Sequence, residues 1–371
     1  MGLSKKIELG FRRTLLRMLK FMGRRRPSAP RSDYDKCKFL FIRQDRIGDV
    51  LVSTPLLASL KKHYPGAVID VLLSSNNHFV LENEPAVRKR WVYDKKLLSS
   101  LRVLSGMRAE RYDFVIDLMD NPSATSTVIL LLAGGKWNVG LEKDNQYAYD
   151  IVVPMLSRKE THIVDRLAQL LNAFGIASER EDLNIRYQTK NRSDDTVRLF
   201  LEQHCQQTKR LIGVNISAGN DSRFWGIEQY RALLREINRR RKDVITILLF
   251  KPADQNRAMQ IADETPGVVL APTLSFDEFA AMIKRLWLLI TPDTSAVHLA
   301  AAFRVPSVIL YVQSDTTLRI WEPYRTPFEP VITTGGNLAG LGVPQVVEAI
   351  EKMTGRLSRV SAKPQSRSEH A

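Results

Sequence analysis

LWLLITPDTSAVHLAAAF, Leu286 to Phe303, is the stretch on which the reading of the fold turns. Leu286 to Ile290 is an apolar run of strand length. Thr294 to Phe303 then has the composition of a helix, with Asp293 or Thr294 placed as its N-cap. A strand passing through a short polar turn into a helix is half of a βαβ unit, and such units build parallel sheets. The unpaired amides of the helix's first turn and its positive dipole end make an anion site. Thr294 and His298 are four apart and share a helix face. The small residues around them let a ligand come close. Spacing alone also allows His298 to be a core or capping histidine.

The same alternation extends in both directions. Upstream, Arg210 to Ile216, Val244 to Phe250 and Val268 to Leu270 read as strands. Ile227 to Arg240 and Phe276 to Arg285 read as helices, and Ser307 to Tyr311 as a further strand. An earlier and separate series begins at Lys38. Phe39 to Arg43, Val68 to Leu73 and Phe114 to Leu118 are its strands. Val50 to His63 and His162 to Phe174 are its helices, ended by Pro65-Gly66 and Gly175. Polar Gln188 to Asp195 is the expected linker. The expected fold is therefore α/β, with two Rossmann-like parallel-sheet domains facing a cleft. The first spans residues 36–188 and the second 196–354. Ligands in open α/β sheets bind at the carboxyl ends of the strands.

Three loops at such ends carry chemistry. Arg43-Gln44-Asp45-Arg46-Ile47-Gly48-Asp49 follows the first strand. Gly48 permits a tight turn, and Asp49 at the helix start is either an N-cap or a general base that takes a proton from an attacking hydroxyl. The segment lacks GxGxxG, which argues against a dinucleotide-dependent dehydrogenase. In the second half, Asn215 to Trp225 follows a strand. The small polar residues Ser217, Ala218 and Gly219 can present amides to a phosphate, and Arg223 offers a planar donor fork suited to a diphosphate. Asp293 to His298 is the third loop. Asp254, just after a strand, is placed to bind a ribose hydroxyl. Asp117 and Asp120 end a strand of the first half and are placed to face the cleft. Arg43, Arg46, Arg108 and Arg111 would suit an anionic acceptor.

The net charge of +15 is concentrated at the ends. Residues 1–31 hold ten basic residues and one acid, and residues 355–371 hold four and one. The body is close to neutral, which argues against a nucleic-acid binder. At helical periodicity Ile7, Phe11, Leu15, Met18, Leu19 and Met22 share one face, with Lys6, Arg13, Arg17, Lys20 and Arg24 opposite. Residues 1–32 are therefore expected to form a basic amphipathic helix and linker, with 5–25 lying on an anionic membrane surface; a mobile basic tail, a helix docked on the protein's own body and an organelle transit peptide are the competing readings. No apolar run is long enough to span a bilayer, and residues 355–371 read as a flexible basic tail. Cys37 and Cys205 form no disulfide framework or zinc motif, and the histidines show no metal spacing.

Together IRQDRIGDVLVSTPLLASL (Ile42 to Leu60), SAGNDSRFW (Ser217 to Trp225) and DTSAVHLAAA (Asp293 to Ala302) resemble the heptosyltransferases of glycosyltransferase family 9. The resemblance covers roughly Lys38 to Thr354. It implies a GT-B fold and an inverting, metal-independent transfer of heptose from ADP-heptose to a lipopolysaccharide core, with no cofactor besides the nucleotide sugar. It places the family's base on Asp49 and its phosphate-contacting cation on Arg223. The D-T-G-x-x-H motif falls on Asp293, Thr294, Ser295 and His298, with Ser295 in the glycine's place. Asp254 stands nearest to the family's ribose-binding glutamate. Arg43, Arg46 and Asp117 are left for the acceptor, an anionic glycolipid. The implied location is the cytoplasmic face of the inner membrane. A transferase using another nucleotide sugar and a non-catalytic nucleotide-binding scaffold are the competing readings.

Overall fold

The computed structural model describes residues 33–205, 208–263, 265–318 and 320–361. The expected N-terminal amphipathic helix lies outside the described residues, as does the end of the chain from 362. The chain divides into two compact units, with the boundary between Gln188 and Thr189. Each unit is built on its own six-stranded parallel sheet.

In the first unit the strands are β1 (Lys38–Ile42), β2 (Val68–Ser74), β3 (Lys89–Tyr93), β4 (Phe114–Asp117), β5 (Trp137–Leu141) and β6 (Ile151–Val153). Their order is β3-β2-β1-β4-β5-β6. The helices are α1 (Ile47–Leu51), α2 (Thr54–His63), α3 (Leu97–Glu110), α4 (Ala124–Leu132) and α5 (Ile163–Ala168). The single helix expected over Val50 to His63 is thus two, parted at Val52 and Ser53. The Ser53 hydroxyl donates to the Asp49 carbonyl at 2.8 Å, and Pro55 then sits in the first turn of α2, where its missing N–H costs nothing. The helix expected over His162 to Phe174 is α5 followed by a 3-10 stretch, closed by Gly175 at φ 74°.

The second unit holds α6 (Asn191–His204), β7 (Arg210–Asn215), α7 (Ile227–Arg240), β8 (Val244–Phe250), α8 (Gln255–Ala262), β9 (Val268–Pro272), α9 (Phe276–Ile283), β10 (Leu288–Pro292), α10 (Ser295–Phe303), β11 (Ser307–Val312), β12 (Phe328–Thr333) and α11 (Val343–Ser361). Its sheet order is β12-β11-β10-β7-β8-β9. Two boundaries differ from expectation. Asn191 to Asp195, read as linker because it is polar, is the first turn of α6. The C-terminal helix runs past residue 354 to Ser361, so the start of the expected tail is helical. Glu329 of β12 holds α11 there through Lys352, at 2.8 Å, and Arg356.

Strands such as FLFI in β1 and ITILLF in β8 are buried almost throughout, as parallel strands covered on both faces must be. In the first unit the rings of Phe39, Phe114 and Phe174 pack with centroids 5.2–5.3 Å apart. In the second, Trp225 is fully buried, and its indole N–H donates to the Leu341 carbonyl at 3.0 Å. That anchors the loop leading out of β7. In both sheets the strand order reverses once, between β1 and β4 and between β7 and β10. These two switch points open a crevice at the carboxyl edge of each sheet.

Gly140 of β5 lies beside Asp117 in register. A methyl group there would fall 2.4 Å from the Tyr149 ring. Gly140→Ala is expected to lower stability by about 1–3 kcal/mol through overpacking, read from urea unfolding. An unchanged midpoint would show that Tyr149 yields freely.

Candidate functional site

The carboxyl edge of the first sheet is organised by Arg43, the first residue beyond β1. Its backbone amide extends the ladder to the Leu72 carbonyl at 2.9 Å, which turns its side chain inward. The guanidinium is 1% exposed. One Nη donates to the carbonyl of Leu118, just past β4, so the side chain bridges the switch point. Its Nε donates to the Asp49 carbonyl at 2.8 Å. The carboxylates of Asp45 and Asp49 lie 3.3 and 3.5 Å from its terminal nitrogens. Arg43 was expected to meet an acceptor. It is buried, with Nε and one Nη engaged by carbonyls and the other Nη, without a hydrogen-bond partner among the described residues, beside the Asp49 carboxylate, so it stands behind Asp49.

Asp49 is the third residue of α1, and its carboxylate accepts from the Arg46 amide at 3.1 Å. Arg46, not Asp49, is the N-cap: Asp49 sits three residues on, one of its carboxylate oxygens closing the turn on the Arg46 amide and the other facing Arg43. Arg46 is exposed beside it. Asn77 braces the loop, donating to the carbonyls of Arg43 and Asp45 at 3.3 and 3.2 Å. Burial pushes Asp45 up to about 6, against the pull of Arg43 and with a further push from Asp49. Gln44 Oε1 and Asp45 Oδ1 are buried without a hydrogen-bond partner among the described residues. Orphaned acceptors of this kind are matched to a polar ligand or solvent.

Across the switch point, Asp117 is fully buried. Tyr149 donates its hydroxyl to it at 2.6 Å, and the Lys143 ammonium is 3.1 Å away. Burial and then Asp117 itself push the Tyr149 hydroxyl well above its usual range, so it stays a donor. Asp117 thus has no face open to an acceptor, contrary to expectation. Asp120 pairs with the buried Arg166 of α5 at 2.7 Å. Arg111 follows α3 and lies two residues before Asp113, whose amide donates to Lys38 at the amino end of β1. It and Arg108, in the last turn of α3, are therefore at the sheet edge opposite to Asp49.

In the second unit the switch point is bridged in the same way. Asn215, the last residue of β7, donates to the Thr291 hydroxyl of β10 at 2.9 Å. Its side-chain oxygen accepts from the Ser217 amide at 3.1 Å and sets the loop's direction. The Ser217 hydroxyl donates to Asp254 at 2.6 Å and accepts from the Lys251 amide at 2.9 Å. Asp254 is mostly buried, with Lys251 and Arg257 each 3.7 Å away. Ser217, Ala218 and Asp254 are thus one cluster, joined by Lys251, whose ammonium donates to the Ala218 carbonyl at 3.3 Å. A side chain at Gly219 would meet nothing within 4 Å, so packing does not require glycine there.

Arg223 reaches across to β10's loop. It lies 3.1 Å from the Asp293 carboxylate and also donates to the Asp293 carbonyl. Thr294 is the N-cap of α10, its hydroxyl accepting from the Ala296 amide at 3.3 Å. Ser295 opens the helix, and His298 is buried one turn on. Arg223 was read as a free donor fork; here Asp293 orients it beside the helix start. The sequence reading missed Asp45, Asn77, Lys143, Lys251 and Arg166. Asp45, Asn77, Lys143 and Lys251 lie in loops just past strands, a signal that their position offered; Arg166, inside α5, depends on long-range packing. Among the described residues no group of three or more His, Cys, Asp or Glu is placed to hold a metal.

Residues 100–332 match glycosyltransferase family 9 (heptosyltransferase). The chain is 25% identical to lipopolysaccharide heptosyltransferase 3 of Escherichia coli over 297 residues, covering 75% of this chain and 83% of that one. It is 22% identical to lipopolysaccharide heptosyltransferase 1 of Campylobacter coli, over 80% and 90% of the two chains. Among solved structures, a family 9 glycosyl transferase from Veillonella parvula superposes with a TM-score of 0.75 at 21% identity, covering 88% of this chain and 99% of that one. E. coli heptosyltransferase WaaC with ADP-2-deoxy-2-fluoro heptose gives 0.68 at 17%, covering 85% and 99%. These likenesses place the fold in the GT-B class expected from the sequence.

Asp45 sets a pH dependence. In the folded chain it keeps its proton up to about pH 6, against 3.8 as its ordinary value. The folded state binds the extra proton between those values, so stability falls as pH rises through the window, and the loss persists above it. Asp45→Asn is expected to be more stable than the parent at pH 7.5 by about 1–3 kcal/mol, the two converging towards pH 4. A gap in urea midpoints that does not change with pH would contradict this.

Proposed function

The chain belongs to glycosyltransferase family 9 (heptosyltransferase), and on that premise we propose that it moves heptose from ADP-heptose to a lipopolysaccharide core or related anionic glycolipid, with inversion at the transferred carbon. The observation that carries the reading is the composition of the two sheet edges. One holds an oriented carboxylate, Asp49, over a buried guanidinium. The other holds a guanidinium, Arg223, beside the capped start of α10.

The donor's diphosphate lies against the first-turn amides of α10 and Arg223, with Ser217, Ala218 and Gly219 along the β7 loop. Arg223 has N–H groups beyond those engaged with Asp293, because a guanidinium carries five. Thr294, Ser295 and His298 line the same helix start, and Asp254 takes the ribose side. The acceptor hydroxyl gives its proton to Asp49 as its oxygen bonds to the anomeric carbon. The bond from that carbon to the diphosphate oxygen breaks, and the electron pair leaves with ADP. Charge growing on that oxygen is stabilised by groups already in place. Arg43 holds the Asp49 carboxylate aimed, and Arg46 meets the acceptor's negative groups. The transfer needs no metal and no cofactor besides the nucleotide sugar. The enzyme works at the cytoplasmic face of the inner membrane, held there in part by residues 5–25. Among the described residues no helix is long and apolar enough to cross a membrane.

Asp49→Asn keeps the turn and removes the base, so kcat is expected to fall by about 10²- to 10⁴-fold in a transfer assay. Wild-type turnover would sink the assignment. Arg223→Ala is expected to lower kcat/KM for the donor by about 10- to 100-fold, and Arg223→Lys less. ADP-heptose should raise the thermal midpoint, and chelator should leave the rate unchanged. Selective stabilisation by a UDP- or GDP-sugar, or a rate restored only by added metal, would refute the donor or the metal-free chemistry.

A further inference from the structure

Leu97, Leu98 and Leu101 are 76%, 72% and 53% exposed, in the opening turns of α3. On a helix they fall within one sector of about 100°. The rest of α3 is seated normally: Met107 is fully buried, and Gly106 faces the Trp91 ring of β3, which a methyl group would approach to 2.7 Å. The exposed leucines are therefore confined to the free end. Lys95, Lys96 and Arg102 surround them, all exposed, and none is ion-paired among the described residues. Asp94 is the one acid among residues 94–102, and its carboxylate accepts from the Lys96 amide at 3.0 Å. A solvated helix start favours acidic and polar residues. This one has no acid in its first turn and no side-chain cap. Single exposed leucines are ordinary, whereas three together within a ring of cations mark a surface that meets a partner.

The fold says which edge this patch occupies. All six strands are parallel, so the end of α3 that follows β3 lies at the carboxyl edge of the sheet. That is the edge from which α1 and Asp49 rise after β1. β3 and β1 are two strand spacings apart, roughly 10 Å. We propose that residues 95–102 dock the first unit on an anionic phospholipid bilayer. The leucines enter the interface, and Lys95, Lys96 and Arg102 meet headgroup phosphates. A glycolipid embedded in that bilayer is then offered to the Asp49 edge. This purpose rests on the glycolipid reading of the acceptor, and the docking is measurable without it. It is separate from any contact made by residues 5–25.

The full chain is tested for sedimentation with vesicles of phosphatidylglycerol and phosphatidylethanolamine. It is compared with the triple variant Leu97→Ser, Leu98→Ser, Leu101→Ser and with Lys95→Gln, Lys96→Gln. Because these side chains are exposed, the folded unit should persist, which circular dichroism and the thermal midpoint check. The triple variant is expected to bind at least about tenfold more weakly. An environment-sensitive label on Leu98→Cys, in a Cys205→Ser background, should be quenched by lipids brominated in their acyl chains. Unchanged binding with an unquenched label overturns the proposal, since other residues then carry the attachment. So does a label already shielded in the free protein, or a self-associated form that the triple variant dissociates, which would assign the patch to the chain itself or to a second copy. In transfer assays the triple variant should raise KM for vesicle-embedded acceptor and leave turnover of a delipidated, soluble acceptor unchanged. Equal loss on both overturns the docking role. A wild-type chain that docks through Leu98 yet transfers to no glycolipid leaves the docking standing and sinks the acceptor reading.

Discussion

A parallel sheet covered on both faces has no room for charge along its strands. Its polar chemistry is driven to the carboxyl edge, and there to the point where the strand order reverses. In both units that point is closed by a side chain from the first strand reaching to the strand beyond the reversal. Arg43 does so towards Leu118, and Asn215 towards Thr291. Arg223 repeats the move towards Asp293. Each bridge fixes two loops against one another, and the remaining functional groups hang from those loops.

The two bridges differ in what they demand. Asn215 is neutral, and its amide satisfies itself on Thr291 and the Ser217 loop. Arg43 is a buried cation, which is stable only with opposite charge and hydrogen bonds around it. Asp45, Asp49 and two carbonyls supply them. The same requirement draws Asp45 out of water, and that burial, with a smaller push from the Asp49 carboxylate, is why Asp45 holds its proton towards neutrality. An exposed lysine in place of Arg43 would supply charge without the planar fork that spans Leu118, Asp45 and Asp49.

The donor-side edge is built more openly. Arg223, Asp293, Thr294 and Ser295 are all partly exposed, while Trp225 and Asn215, which anchor the loops they stand on, are buried. Buried anchors carrying half-exposed polar groups keep geometry fixed while leaving atoms open to an anion. On the other unit the same division appears on a larger scale. α3 is anchored by Met107 and Trp91 at one end and shows bare leucines at the other.

The order of apolar runs and small polar turns was enough to place the central strands of both sheets, because burial on two faces writes itself as uninterrupted hydrophobic segments such as FLFI and ITILLF; β3, β5, β6 and β12, only partly buried and broken by polar residues or very short, were not legible. Asp49, Arg223 and Asp293 to His298 were equally legible, since strand-end loops with helix starts are where ligands meet parallel sheets. The broken helix at Val52-Ser53 was not, because both halves share one apolar periodicity and the break is a local hydroxyl-to-carbonyl bond. Nor was the fate of Arg43 and Asp117. Sequence position put each at the right edge, but whether a charged side chain turns outward to a ligand or inward to a partner depends on residues far away in the chain. For Arg43 those are Leu118 and Asn77; for Asp117 they are Lys143 and Tyr149. Local composition determined where charge must sit, and only the tertiary contacts decided which charges were already spoken for.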